Sequence, residues 1–285
     1  MTSPAFHALR EKYAAGLRHF IASTRSLEVL ASVPSERHDP TPATDVLYVL
    51  DSSFNPPTLA HSRIATSAIL EDPHRPARLL LLLATQNADK LSKPASFEDR
   101  LVMMELFARD LLSSLRTNES VPVPQNLPVI DIGVTKKPYF VDKAAEIERS
   151  GVYPQPLEQV HLTGYDTLIR IFNPKYYPPE HTLQPLGPFL SQHRLRVTMR
   201  PDSDWGSRDE QEAFMVDLAQ GGKDNVGGKR EWAQRIKLVE GKRPGAPSVS
   251  STRAREAAVT NPQDLEWLVP PSVREAILSE RPYTE

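Results

Sequence analysis

The chain has 285 residues, of which 39% are hydrophobic and 25% charged, as is ordinary for a soluble globular protein with one large domain or two small ones. The formal net charge of −2 argues against a global basic field, so we expect neither a nucleic-acid partner nor a membrane partner. The lack of cysteine excludes disulfides, thiolate metal sites and a cysteine nucleophile, and it fits a cytoplasmic or nuclear protein.

The N-terminal segment carries apolar side chains at helical spacing over residues 4–31, which predicts a helix there. Residues 33–45 contain three prolines among charged residues, a composition typical of a linker. We therefore divide the chain into a helical extension with its linker at residues 1–44 and a main domain at residues 45–285.

Beyond residue 45, apolar runs that are typical of strands alternate with segments of helical periodicity. The predicted strands cover residues 46–50, 78–84, 129–132, 160–163, 195–199 and 236–239. The predicted helices cover residues 58–70, 96–115, 141–149, 167–172 and 269–278. This alternation predicts an α/β fold with a doubly wound parallel sheet, in which ligands bind beyond the carboxyl ends of the strands.

Three segments rich in proline or glycine interrupt this alternation, at residues 117–128, 173–188 and 201–230. We predict that they lack regular structure and that the last of them is a disordered insertion. The residues that carry chemistry are therefore sought in the segments that directly follow the predicted strands.

The most informative segment runs from Ser52 to His61, between a predicted strand and a predicted helix. A strand that passes through a tight loop into a helix is a phosphate-binding arrangement, because the first helical amides and the helix dipole favour an anion. Pro56 and Pro57 suit a first helical turn, where a missing N–H costs nothing. Thr58 and His61 share the helix face beside that anion site. The alternative is a proline-capped turn with an incidental surface histidine.

A second cluster runs from Val249 to Arg255, after a strand and a turn rich in glycine and proline. Its hydroxyl groups belong to Ser250, Ser251 and Thr252, and since hydroxyls are natural helix caps, plain capping is the alternative. Arginines early in a helix oppose its dipole unless an anion is bound. Hydroxyls, free amides and guanidinium groups together describe a polyphosphate cradle.

Two weaker candidates also follow strands. Gly164 allows close backbone approach and Asp166 opens a predicted helix, which fits contact with a base or ribose, or a plain N-cap. Lys90 and Lys93 follow the second predicted strand and are either phosphate ligands or ordinary surface lysines. No histidine pair has metal-ligand spacing, and the sequence contains neither a P-loop nor a G-x-G-x-x-G motif.

These segments, in this order, resemble the nicotinamide mononucleotide adenylyltransferases of the H-x-G-H nucleotidyltransferase superfamily, in a divergent fungal form. The segment from Ser52 to His61 is similar to the signature G-S-F-N-P-x-(H/T)-x-x-H, and Gly164-Tyr165-Asp166 is similar to the G-x-D segment. The segment from Val249 to Arg255 is similar to I-S-S-T-x-I-R, and the tail from Trp267 to Val273 is similar to Y-L-V-P-x-x-V.

The resemblance implies a Rossmann-like nucleotidyltransferase fold over residues 45–285, with ATP and nicotinamide mononucleotide as substrates and Mg²⁺ bound through the ATP phosphates, not by protein ligands. It leaves the oligomeric state open. The catalytic residues that it implies are His61, Thr58 and Arg255. The ATP-binding residues that it implies are Ser53, Phe54, His61, Gly164, Asp166, Ser250, Ser251, Thr252 and Arg255. The acceptor-binding residues that it implies are Ser52, Ser53, Lys90, Lys93 and Tyr177.

The chain also departs from the family pattern. Ser52 replaces the opening glycine of the first signature, and residues 131–135 lack the tryptophan that stacks on nicotinamide in eukaryotic members. Tyr177 is a candidate for one stacking face, and Tyr139 or Phe140 for the other. Two alternatives therefore stay open: a transferase of the same superfamily with another acceptor, and a catalytically inactive nucleotide-binding regulatory protein.

Overall fold

The structure is a computed structural model, and it describes residues 4–35, 44–86, 95–117, 127–201, 205–241 and 247–284. Within these ranges seven strands form one sheet: β1 Leu27–Val33, β2 Val46–Asp51, β3 Ala77–Ala84, β4 Val129–Thr135, β5 Glu158–Gly164, β6 Arg194–Thr198 and β7 Ile236–Val239. The α-helices of the same ranges are α1 Pro4–Ala22, α2 Leu59–Ile69, α3 Phe97–Arg116, α4 Phe140–Arg149, α5 Tyr165–Ile171, α6 Leu186–Gln192, α7 Arg208–Gln220, α8 Ser251–Thr260, α9 Leu265–Leu268 and α10 Pro271–Glu280.

The strand order is β1-β4-β3-β2-β5-β6-β7, and each neighbouring pair is parallel except β1 with β4. The chain runs outward from β2 through β3 to β4, returns to β5 on the other side of β2, and continues outward to β7. This is a doubly wound sheet, so the predicted fold class is confirmed. Its switch point lies between β2 and β5, which is where such sheets bind ligands.

The centre of the sheet is buried on both faces. Residues 79–83 of β3 expose at most 1% of their surface, as a parallel strand covered by helices requires. Side chains of α1, α2, α3, α8 and α10 share one apolar cluster with one face. On the other face, α4 packs on β2 and β3, and α5, α6 and α7 form a cluster with β6. Polar groups that are able to meet a ligand therefore lie at the strand ends.

The N-terminal helix is shorter than predicted. It ends at Ala22, where the Ser23 hydroxyl donates to a carbonyl of the last turn. Residues 27–33 form β1 and pair with β4. The hydrogen bonds of this ladder satisfy the backbone N–H and C=O groups, which a helix would have satisfied internally. The prediction of a helix through residue 31 is therefore wrong, whereas the division of the chain at residue 44 stays a prediction.

The prediction that residues 201–230 form a disordered insertion is also wrong, because α7 lies within them. The Ser207 hydroxyl accepts from the Glu210 N–H, and the Glu210 carboxylate accepts from the Ser207 N–H, so the two residues form a capping box. Gly221 ends the helix with a φ of 96°, a left-handed conformation that favours glycine. A glycine that suggests a flexible linker in the sequence is a helix C-cap in the structure.

The other two interrupting segments differ from each other. Residues 173–188 contain a 3₁₀ turn at Pro174–Tyr176 and the start of α6, so the prediction of no regular structure is only partly right. Most of 117–128 lies outside the described residues. Among the helices that the structure describes, none is both long and apolar enough to cross a membrane.

Candidate active site

The loop from β2 to α2 places a histidine at the carboxyl end of the sheet. The loop begins at Ser52, and His61 is the third residue of α2. Phe54 is fully buried and has a φ of 44°, a left-handed conformation that is unusual for a bulky side chain. Its ring centre lies 5.4 Å from that of the His61 imidazole. Phe54 therefore anchors the loop and packs against the histidine.

Hydrogen bonds fix both the orientation and the proton of the His61 ring. The Thr58 backbone N–H donates to Nδ1 at 3.0 Å, and Thr58 Oγ1 lies 2.8 Å from the same atom. Because Nδ1 accepts a hydrogen bond, the neutral ring carries its proton on Nε2. Nε2 lies 3.0 Å from Ser52 Oγ. The ring is thus a positioned hydrogen-bond donor, held from behind by the buried Thr58.

The surroundings of this ring keep it neutral. Burial lowers the pKa of His61 from its ordinary 6.5 to about 4, and the positive charge of Arg200 contributes to the lowering. Near neutral pH, His61 therefore donates through Nε2–H without carrying a positive charge.

We expect this lowered pKa to make the free energy of unfolding depend on pH. The unfolded chain protonates His61 near pH 6.5, whereas the folded protein resists protonation until about pH 4. The stabilising contribution is therefore complete above pH 6.5 and is lost as the pH falls toward 4. Urea unfolding across this range should give a flatter pH dependence for His61→Asn than for the wild type.

Two other histidines, one buried and one exposed, serve as comparisons in the same unfolding experiment. Burial also lowers the pKa of His161, to about 3, so the slope should be reduced in His61→Asn but not abolished. His74→Asn, which removes an exposed imidazole outside the site, is the control for the loss of a histidine. Equal slopes in the wild type and in His61→Asn would contradict the assigned pKa.

The start of α8 closes onto the same loop from a distant part of the chain. Ser251 Oγ donates to the Pro56 carbonyl at 2.7 Å, and Arg255 Nη1 donates to the Asn55 carbonyl at 2.6 Å. The second contact joins residues 200 positions apart. These two contacts, which we call the clasp, confirm the prediction that the two segments converge.

The other polar residues at the start of α8 have separate contacts. The Ser250 hydroxyl accepts from the Arg253 N–H at 3.2 Å, so the capping alternative is confirmed for this residue. Thr252 Oγ1 accepts from Arg255 Nη2 at 3.2 Å. The Arg253 guanidinium lies 4.9 Å from the centre of the Trp267 ring. The two arginines therefore diverge, with Arg255 in the clasp and Arg253 on an aromatic face.

A third part of the site lies at the end of β5, beside β2. A Cβ at Gly164 would lie 2.5 Å from Asp166 Oδ1 and 3.3 Å from Arg200 Nε, so both side chains pack closely over the glycine. Arg200 Nη1 lies 3.8 Å from Asp166 Oδ1. The N-cap of α5 is Gly164, so the interpretation of Asp166 as an N-cap is wrong. Its carboxylate instead lies beside the Arg200 guanidinium.

A cavity of about 380 Å³ adjoins the His61 loop, with walls from the ends of β2 and β3 and from α4 and α5. Four aromatic side chains line it: Tyr139, Phe140, Tyr176 and Tyr177. The Tyr177 hydroxyl donates to the Ile171 carbonyl at 2.6 Å, which restrains that ring. The predicted site residues that line the same cavity are Ser52, Ser53, Asp166 and Tyr177.

Four charged residues at the site were not predicted from the sequence, one of which is Arg170, an exposed residue that lines the cavity. Asp51 and Lys143 line the cavity and form an ion pair of 2.5 Å, and Arg200 lies over Gly164. Asp51 ends β2 and Arg200 closely follows β6, so a search of all strand ends finds both. Lys143 lies within α4 and reaches the cavity only through tertiary packing, which leaves no local signal. The predicted Lys90 and Lys93 lie outside the described residues.

Comparison with known proteins finds a relative that matches over nearly the whole chain. No family model matches the chain. A protein of Schizosaccharomyces pombe named "Putative nicotinamide mononucleotide adenylyltransferase" is 34% identical over 274 residues, which cover 96% of this chain and 97% of that protein.

One solved structure supports the same fold. The structure of Plasmodium falciparum nicotinic acid mononucleotide adenylyltransferase complexed with NaAD has a TM-score of 0.50 at 12% identity, covering 84% of this chain and 97% of that one. A second structure of that protein, complexed with APC, has a TM-score of 0.47 at 12% identity with the same coverage. At this identity the first likeness shows the α/β fold alone.

Proposed function

Because the chain belongs to the nicotinamide mononucleotide adenylyltransferase family, and is thus a nucleotidyltransferase, we propose that it transfers the adenylyl group of ATP to nicotinamide mononucleotide. The products of the proposed reaction are NAD and pyrophosphate. The observation that supports it best is the clasp, which brings Arg255 to the loop that carries the His61 donor, beside an aromatic cavity.

The proposed reaction depends on alignment and charge stabilisation more than on acid–base chemistry. An oxygen of the acceptor 5′-phosphate bonds to the α-phosphorus of ATP, while the bond from that phosphorus to the bridging oxygen breaks and pyrophosphate leaves. The attacking oxygen is already anionic, so neither a general base nor a covalent enzyme intermediate is required. The chain has to align two polyanions and stabilise the charge that develops on the α-phosphate oxygens.

His61 is the proposed donor to those oxygens. Its Nε2–H becomes available when a phosphate oxygen takes the place of Ser52 Oγ. Thr58 holds Nδ1 through its backbone N–H and hydroxyl, so we assign it a positioning role and not a direct phosphate contact. Ser53 and Phe54 are proposed to present loop amides to the same phosphate.

The β- and γ-phosphates are proposed to lie at the start of α8. This helix has ten residues, and its first amides and dipole favour an anion. Ser251 and Thr252 add hydroxyls there, and Ser250 caps the helix. Arg255 adds a charged donor that stays with pyrophosphate as it leaves. Arg200, whose charge already acts on His61, is a second candidate for phosphate contact.

The adenosine is proposed to bind over Gly164 and Asp166. Asp166→Ala is expected to raise KM for ATP by roughly tenfold, with a smaller change in kcat, because one charged hydrogen bond to substrate is worth about 1.5–3 kcal/mol. Steady-state kinetics at varied ATP measure this split.

A matched control for this variant is Asp209→Ala, since Asp209 is the second residue of α7 as Asp166 is of α5. It removes a carboxylate from the same helix position away from the site, and KM for ATP should stay at the wild-type value. An unchanged KM in Asp166→Ala would leave that carboxylate as a partner of Arg200 only.

The acceptor is proposed to bind in the aromatic cavity. Its pyridinium ring is flat and cationic, and such rings bind on aromatic faces, for which Tyr177 and Tyr139 are the candidates. Ser52 and Ser53 line the cavity on the side of the His61 loop, where the 5′-phosphate has to arrive. Contact of Lys90 and Lys93 with that phosphate stays a prediction, as does cytoplasmic or nuclear residence.

Mg²⁺ is proposed to accompany ATP. Among the residues that the structure describes, no group of three or more histidine, aspartate or glutamate side chains is placed to hold a metal ion. Magnesium commonly binds through substrate phosphates and water, so ATP supplies its proposed ligands. When bound, it would neutralise phosphate charge.

The test of the proposed function is incubation of the purified chain with ATP, Mg²⁺ and nicotinamide mononucleotide, followed by detection of NAD and pyrophosphate in equal amounts. A panel of other phosphate acceptors with ATP and CTP belongs beside it, because β4 presents no aromatic ring at residues 131–135. Pyrophosphate release with a different acceptor, and none with nicotinamide mononucleotide, would assign that other acceptor as the substrate. No release with any acceptor would overturn the catalytic proposal.

A further inference from the structure

An ion pair forms part of the wall of the aromatic cavity, and the proposed transfer chemistry does not use it. Lys143 Nζ lies 2.5 Å from Asp51 Oδ2, and the two residues are 92 positions apart. Asp51 is the last residue of β2 and Lys143 is the fourth residue of α4. The side chains expose 27% and 10% of their surface, and both line the cavity.

Stability alone is a weak reason for such a pair. Taking two charges out of water costs about as much as their attraction returns, so a buried pair is often no better than apolar packing. The pair also lies on a cavity wall and not in the apolar core. A role toward whatever fills the cavity accounts for its position better than a contribution to folding.

The cavity wall also carries the charged side chains of Asp166 and Arg170 and the hydroxyls of Ser52 and Ser53. Asp166 lies beside Arg200, with 3.8 Å between Oδ1 and Nη1, and Arg170 is an exposed residue at the rim. The ammonium of Lys143 is already neutralised by Asp51, so it is not a free cation waiting for an anionic ligand.

We propose that the Asp51–Lys143 pair selects an acceptor whose pyridine ring carries a carboxamide over one whose ring carries a carboxylate. This inference rests on the proposed function. The pair offers one acceptor, the Asp51 carboxylate, and one donor, the Lys143 ammonium. A carboxamide offers the matching groups, an N–H donor and a carbonyl acceptor.

A carboxylate on the ring has no such match. Both of its oxygens accept, so it would either displace Asp51 from Lys143 or lie beside the Asp51 carboxylate as a like charge. Like charges in a partly buried site disfavour binding strongly, which is how charge arrangement gives specificity. Nicotinamide mononucleotide is therefore the expected acceptor, and nicotinic acid mononucleotide the rejected one.

The test compares the two mononucleotides in the full chain, by calorimetric binding and by kcat/KM at saturating ATP. Asp51→Asn removes the like charge and leaves Lys143 uncompensated. It should lower the preference for the amide by about tenfold, as expected for one charged contact. Lys143→Gln leaves Asp51 unpaired, so it should move the preference in the opposite direction.

Opposite shifts in the preference for the amide distinguish a role in selection from a purely structural role. A purely structural role would weaken the binding of both mononucleotides alike in both variants. Glu146→Gln is the matched control, because Glu146 pairs with Arg149 at 3.6 Å on the same helix and does not line the cavity. It should keep the wild-type preference. Urea unfolding of each variant confirms that the comparison is made on folded protein.

The outcomes separate this inference from the proposed function. Selective binding of nicotinamide mononucleotide without turnover would overturn the proposed activity and support the selection by Asp51 and Lys143. Turnover of both mononucleotides with an unchanged ratio in both variants would overturn the selection and leave the activity standing. Binding of neither mononucleotide to the wild type would overturn both.

Discussion

Replacing His61 with alanine is expected to lower kcat by about 10²–10³-fold, or roughly 2.7–4 kcal/mol, the cost of removing one preorganised charge-stabilising donor. The Thr58 backbone N–H fixes Nδ1, so Nε2–H is oriented before any phosphate arrives. Because burial keeps the ring neutral, the donor does not depend on a proton from solvent near neutral pH. KM for ATP should change less than kcat, since the contact strengthens as charge develops.

The measurement is NAD formation at saturating substrates, with urea unfolding as a check on the fold. His74→Ala removes an exposed imidazole from the turn after α2 and should leave kcat at the wild-type value. A His61→Ala variant that folds and keeps the wild-type kcat would remove His61 from the mechanism. The Ser52–His61 contact would then be structural only.

The parts of the fold that the sequence predicted are those whose cause is local. The leucine run of β3 has one stable location, the centre of a sheet that is covered on both faces. The Ser52 to His61 segment is recognisable from the sequence, because proline, threonine and histidine stand in a fixed order between a strand and a helix. Its exact hydrogen bonds, such as Ser52 Oγ to His61 Nε2, needed the folded loop.

The parts that the sequence did not predict depend on contacts between distant residues. β1 is a strand because β4 lies beside it, and nothing within residues 27–33 requires that pairing. Lys143 belongs to the site because α4 packs across the end of β2 and meets Asp51. Arg200 is different, because it closely follows β6 and a position just beyond a strand is itself a local signal.

Replacing Arg255 with alanine is expected to lower kcat/KM for ATP by about 10- to 100-fold, the loss of one charge-assisted contact worth roughly 1.5–3 kcal/mol. The guanidinium donates through Nη1 to the Asn55 carbonyl and through Nη2 to Thr252 Oγ1. A planar group held in this way has its remaining N–H donors fixed in direction. Arg255→Lys keeps the charge but not the fork, so it should lie between alanine and the wild type.

The difficulty with this variant is that Arg255 also builds the clasp, so a loss of activity has two possible origins. Arg253→Ala controls for the loss of an arginine from the same helix, because its side chain lies on Trp267 and not on the loop. Ser251→Ala removes the other contact of the clasp, together with one hydroxyl proposed to meet phosphate, without removing any charge. If Arg255→Ala weakens ATP binding and pyrophosphate inhibition far more than Ser251→Ala at similar stability, the guanidinium acts on phosphate. Equal effects of the two variants would mean that Arg255 only holds α8 against the loop.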